Sequence, residues 1–218
     1  MARPTLNRII SAKFEVQRHF NEQLEKHLTS EFEALEEFRD QVLGDLAESK
    51  DKLMEAAKEL FPRYLALEFI FPGILRASLL AHTYFLFEDS LHHLCKRIEA
   101  KSTSRVRLDD CRGSGLLRAR LFLARVAEIP LPEPDTLWED VNNIRLLRNC
   151  IAHGYGRLRQ PDSELGRFVR SHSALSLDEG SGIVLSREFN PWAYDRLESF
   201  LLRVAPYAES GDSGEVSG

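Results

Sequence analysis

Apolar residues recur at near-helical spacing through most of the first 60 residues: Ile10, Phe14, Leu24, Leu28, Leu35, Phe38, Val42 and Leu46, with glutamates and lysines between them. Side chains three and four positions apart share one face of an α-helix. The spacing therefore predicts a long helix or a helical pair, and a stripe that long must pack on a bundle or on another subunit. Gly44 is a place for a bend or break, and Phe61-Pro62 reads as a stop signal. A second long helix is expected over residues 73–101. It is very apolar through Leu79-Leu80-Ala81 and Phe85-Leu86-Phe87, with Glu88 and Asp89 standing inside its hydrophobic run, and it should be the central helix.

Further on, a helix is expected over 114–127, then a break at Pro130 and Pro132. Asp135 is a natural N-cap for the helix that follows, with Glu139 close behind. After Gly154 an irregular arginine-rich loop is expected. Ala174-Leu175-Ser176-Leu177 and Ile183-Val184-Leu185 flank Asp178-Glu179-Gly180-Ser181-Gly182, which reads as a short hairpin. Asn190-Pro191 starts a last helix that ends near Tyr207. The sum is an all-α fold. It comprises an N-terminal helical arm (1–62), an up-and-down helical bundle (63–208) with a small β-hairpin before its last helix, and a disordered tail (209–218).

A hydrophobic content of 43% in 218 residues suffices for a core. No run of 18 uncharged apolar residues occurs, because Glu68 and Arg76 interrupt residues 64–87, so no membrane span is expected. Arg8 and Lys13 lie among the N-terminal hydrophobics where a signal core would be, and a cytoplasmic location is expected. Cys95, Cys111 and Cys150 are widely spaced and suit neither a disulfide framework nor a zinc pattern. His92, His93 and Cys95 splay around a helix axis, so no metal and no cofactor are expected.

The most informative local stretch runs from Asn142 to Tyr155. At about 100° per residue, Leu137, Val141, Ile144 and Ile151 fall on one arc, and Arg148 falls in its middle. A guanidinium there needs an acidic partner, an anion or a subunit boundary; Glu88 is the candidate acid. Asn142, Asn149 and His153 form a separate polar row, and Asn149 and His153 are close enough to touch. Gly154 is expected to end the helix. Arginine, asparagine and histidine converging at a helix end suit a phosphate, although Arg145, Arg148 and His153 also complement the negative end of the helix dipole. Residues 101–170 carry 13 basic and 9 acidic side chains within a chain of net charge −5. All but one of those basic residues are arginines, whose planar fork matches phosphate. That favours a local RNA-facing groove over general nucleic-acid binding, beside the plain alternative of a solvated or ion-paired face.

Arg148, Asn149 and His153 together read R-x4-H with a polar residue after the arginine, and this resembles the signature of the HEPN superfamily of helical nucleotide-binding domains. Phe71-Pro72-Gly73 leading into the helix with Phe87-Glu88-Asp89, Gly113-Ser114-Gly115 opening another helix, Pro132, Trp138 and the late hairpin-plus-helix extend the resemblance over residues 65–207. The resemblance implies a HEPN-like bundle. It also implies a metal-independent endoribonuclease of a toxin–antitoxin or phage-defence system, working as a homodimer whose two motifs face one composite site. His153 would be the general acid or base, Arg148 would bind the scissile phosphate, and Asn149 would orient His153 or bind phosphate. Glu88, Asn142 and Arg145 would support them. Tyr155 extends the motif to R-x4-H-x-Y, whose tyrosine some members have adenylylated by a nucleotidyltransferase antitoxin. The implied partners are thus RNA, a second copy, and an antitoxin that is a nucleotidyltransferase or a second HEPN protein. The alternative is a non-catalytic HEPN protein serving as dimerising antitoxin, sensor or scaffold. A helical adaptor unrelated to that superfamily is the third reading.

Overall fold

A computed structural model describes residues 5–45, 50–131 and 135–209. The expected tail lies outside these residues except for Glu209, and so do Leu46 and Pro132. The fold is all-α with one small hairpin. Its helices are α1 (Leu6–Asp45), α2 (Lys50–Leu65), α3 (Phe71–Lys101), α4 (Gly115–Arg125), α5 (Thr136–Gly154), α6 (Glu164–Ser171) and α7 (Phe189–Glu209).

The apolar stripe of α1 does two jobs. Ile10 and Phe14 are buried in the main core, and this half of α1 packs on α7 and α3. The second half pairs with α2: Leu35 and Leu60 are buried, and Phe32 meets Tyr64 edge-on at 5.5 Å between ring centres. Arm and bundle therefore share α1, and a half-buried ion pair ties them. Arg76 of α3 binds both carboxylate oxygens of Glu25 at 2.7 and 2.8 Å and gives a third hydrogen bond to the Leu185 carbonyl.

The chain does not stop at Phe61-Pro62. The helix runs through Pro62 into a π-helical turn, Ala66–Ile70, and on into α3. Proline removes one helical hydrogen bond, but the carbonyl it strands belongs to exposed Lys58, where water can reach it. Pro72, in the first turn of α3, likewise removes one hydrogen bond from this continuous helix. Within the continuous helix Asp51–Lys101, an 18-residue window reaches a mean hydropathy of 1.5, long and apolar enough to cross a membrane by length and composition. The charges of Glu68 and Arg76 are outweighed in this average by the Leu, Ile and Phe around them. Only 11% of that window is buried within the chain.

α7 is the most enclosed helix: Ala193, Tyr194, Leu197, Phe200, Leu201, Val204 and Ala205 are all fully buried, against α1, α3 and α5. It shares the centre of the bundle with α3. Strands β1 (Leu175–Leu177) and β2 (Ile183–Leu185) pair antiparallel with Ser176 opposite Val184. The region after Gly154 contains a helix, α6, where a loop was expected. Ser163 caps it by accepting from the Gly166 N–H at 3.2 Å, and Leu165, Phe168 and Val169 form its buried face.

Candidate functional site

α5 carries the motif. Asp135 caps its start, accepting from the Trp138 N–H at 3.1 Å, and is itself held by Arg203 at 2.8 Å from both carboxylate oxygens. Val141, Ile144 and Leu147 are fully buried and fix the rotation of the helix against α7 and α3. That rotation turns Arg148 towards α3.

Arg148 is 13% exposed and finds the acid proposed for it: Nη2 donates to Glu88 Oε2 at 2.8 Å. Its guanidinium carbon lies 4.6 Å from the centre of the Tyr84 ring and 5.2 Å from that of Phe85, so two π faces add to its attraction. Tyr84 and Phe85 lie one turn before Glu88 on α3, and they were not singled out in the sequence. Their i, i+4 and i, i+3 spacing from Glu88 was the available signal. Glu88 in turn presses against Gly115, which has φ +49°; a Cβ there would collide with Glu88 Oε1. The glycine at the start of α4 thus makes room for the carboxylate that orients Arg148.

Arg148 is only partly satisfied. Its Nε is buried without a hydrogen-bond partner, as is the Tyr84 hydroxyl below it. Burial first, then the negative charge of Glu88, pushes the Tyr84 hydroxyl well above its ordinary titration range, with Arg148 opposing, so Tyr84 stays protonated. The phenol and the half-satisfied guanidinium leave hydrogen-bonding capacity unused at this seam.

The structure separates the remaining site residues. Arg145 Nε and Nη2 donate to Asn142 Oδ1 at 3.0 and 2.9 Å, and Asn142 Nδ2 donates to Glu164 at 2.9 Å. This network ties α5 to α6 instead of facing Arg148. Asn149 is half-buried and His153 is exposed, and no hydrogen bond joins them. The convergence expected from the sequence is therefore not made within one chain: Arg148 and His153 lie about 140° apart around α5 and about 7.5 Å apart along it.

The helix ends at Gly154, as expected, but the glycine is not the reversing residue. Gly154 stays helical, and Tyr155 takes the left-handed conformation, φ 53° and ψ 33°. The chain-reversing position falls one residue later because Gly156, at φ 73°, completes the reversal. The Tyr155 and Gly156 N–H groups both reach the Cys150 carbonyl. The hairpin then locks the turn: Ile183 N–H donates to the Gly156 carbonyl at 2.9 Å, and Arg157 pairs with Gly182. Tyr155 is left 96% exposed. It stands at the rim of a cleft of about 640 Å3 between the π-helical turn, the start of α3 and the hairpin.

Among the described residues, no group of three or more His, Cys, Asp or Glu side chains is placed to hold a metal ion. No protein-family model, curated protein or solved structure matches this chain.

Proposed function

We propose that the chain is a metal-independent endoribonuclease acting as a homodimer, with the two α5 ends lining one cleft. The observation that carries this reading is the division of labour along α5. An arginine is oriented by a carboxylate and two rings, and an exposed histidine with no protein partner follows at the helix end. Two copies would supply the second acid–base group that one chain lacks. In the reaction the ribose 2′-hydroxyl attacks phosphorus while one His153 accepts its proton. Arg148 stabilises the added negative charge. The bond to the 5′-oxygen then breaks, and the second copy's His153 protonates that oxygen, leaving a 2′,3′-cyclic phosphate and a 5′-hydroxyl. Asn149 lies between Arg148 and His153 on the same helix and orients the phosphate or the imidazole. The biological setting this reading fits is a toxin–antitoxin or phage-defence system. The exposed Tyr155 hydroxyl would be the acceptor for adenylylation by a nucleotidyltransferase antitoxin: it attacks the nucleotide α-phosphorus, pyrophosphate leaves, and a bulky anion stands at the cleft.

RNA incubated in EDTA tests this. The expected result is cleavage by the wild type and a loss of about 100-fold or more for His153→Ala, with the same helical content. Equal cleavage by both proteins, or cleavage only with added magnesium, contradicts it. A second reading rests on the Arg148–Glu88 pair itself. Paired and 13% exposed, Arg148 would serve to hold α5 on α3 in a non-catalytic scaffold or antitoxin. In that case no RNA is cut at any magnesium concentration.

A further inference from the structure

We propose that the exposed apolar face running from α2 through the π-helical turn to α3 is the contact surface with a second copy of this chain. Phe61, Leu65, Phe69, Ile70, Ile74 and Phe85 are 67%, 41%, 64%, 44%, 61% and 57% exposed. All but Phe85 fall in two runs that meet at Phe69. Phe61, Leu65 and Phe69 follow one another at single-turn spacing and line one groove with Leu43 of α1. Phe69, Ile70 and Ile74 line the adjoining cleft, which reaches Ile151 and Tyr155 of α5. Eleven residues on from Ile74, Phe85 returns to within about 20° of the same face of α3.

The area decides what such a face can be. At about 150–250 Å2 for a large side chain, these six expose roughly 600 Å2. That is at the top of the range of about 300–600 Å2 for the largest apolar patch of a monomer, and it approaches the ~800 Å2 that each partner contributes to a stable interface. Self-association fits the shape as well. The outer half of α1 and α2 form a two-helix hairpin whose second face is unpartnered, and two such hairpins face to face make a four-helix packing. An anionic lipid surface fits less well, because α1, which flanks the groove, carries seven acidic and only two basic side chains over residues 25–45, acids that the face-to-face packing must leave outside the contact. Anionic headgroups would be repelled.

The proposal also says where the motif would lie. The face ends on Phe85, against which the Arg148 guanidinium is stacked, and its cleft ends on Tyr155. A two-fold contact here therefore sets both copies' α5 helices at the border of the interface. This last step rests on the ribonuclease reading; the contact itself does not.

Sedimentation equilibrium of the full chain over nanomolar to micromolar concentrations is the test. The wild type is expected to be a dimer at micromolar concentration. Phe69→Glu and Ile74→Glu should each raise the dissociation constant by about 30-fold or more, with the circular dichroism spectrum unchanged. Leu121→Glu, at an exposed apolar position of α4 outside the face, should leave the dimer intact. A wild type that is monomeric at micromolar concentration overturns the proposal, whether or not it co-floats with neutral phosphatidylcholine vesicles. So does a dimer that Leu121→Glu dissociates while Phe69→Glu and Ile74→Glu do not. Because the readout is mass, a dimer that cuts no RNA would defeat the ribonuclease reading and leave this one standing.

Discussion

Two arginine–glutamate pairs anchor α3, and they differ in how completely each arginine is used. Arg76 spends three donors on Glu25 and on the Leu185 carbonyl, and both partners are well shielded, at 18% and 15% exposure. Arg148 is as shielded, at 13%, but gives a single hydrogen bond to Glu88, which is 25% exposed, and leaves Nε buried and unpaired. The first pair closes a contact between arm, bundle and hairpin. The second holds a guanidinium in place without saturating it. A buried charge is tolerated only when paired and hydrogen-bonded, so an incompletely satisfied arginine beside an exposed helix end marks the part of the molecule with binding capacity to spare.

Removing one member of each pair should separate these roles. Arg76→Ala strands Glu25 and frees the Leu185 carbonyl, and is expected to lower unfolding stability by about 3 kcal/mol. Arg148→Ala leaves Glu88 more accessible to water and should cost about 1 kcal/mol, while removing RNA cleavage. Chemical denaturation of the two variants measures both, and a larger stability loss for Arg148→Ala would reverse the assignment. A change between these two in size comes from Gly115→Ala. The new Cβ displaces Glu88, and the left-handed backbone becomes strained, together costing about 1–2 kcal/mol. Cleavage should fall although Arg148, Asn149 and His153 are untouched. Unchanged activity would mean that the orientation imposed through Glu88 is irrelevant.

The smallest effect should be seen with pH. His172 sits among Phe168, Phe189 and Trp192, with its Nδ1 accepting the Ala174 N–H at 3.2 Å. Burial pulls its imidazole below the ordinary range. The folded chain therefore prefers neutral His172. Its contribution to stability is complete above the unfolded value, near 6.5, and is lost as pH falls from there through the folded one. The thermal midpoint should drop over that window in the wild type and drop less in His172→Phe. Equal pH dependence in both would place the titration elsewhere. Neither effect involves Arg148, which keeps this test independent of the site.

The Glu88 partner of Arg148, the Asp135 cap and the hairpin were legible in the sequence because each is a local pattern: a charge inside an apolar run, a capping residue before a periodic segment, turn residues between two apolar runs. What was not legible depends on solvent and on tertiary reach. Pro62 reads as a stop, yet the helix continues, since the carbonyl it strands is on an exposed face. Gly154 reads as the chain-reversing position, yet Tyr155 takes it, because the hairpin fixes Gly156 from 27 residues away, through Ile183. α6 was hidden by the arginines around it, although Leu165, Phe168 and Val169 have helical spacing. The separation of Arg148 from the row of Asn149 and His153 was also legible, since helical spacing puts them on different faces of α5.

The most direct measurement is the chemistry of the RNA ends left by purified protein in EDTA, with wild type and Arg148→Lys side by side. Lysine retains the charge but loses the planar fork that binds Glu88 and, in the proposed reaction, the phosphate. The expected result is 2′,3′-cyclic phosphate and 5′-hydroxyl termini from the wild type, and cleavage reduced by at least about 100-fold in Arg148→Lys. Intact RNA from the wild type, or identical termini at identical rates from both proteins, would contradict the assignment of Arg148 to the scissile phosphate.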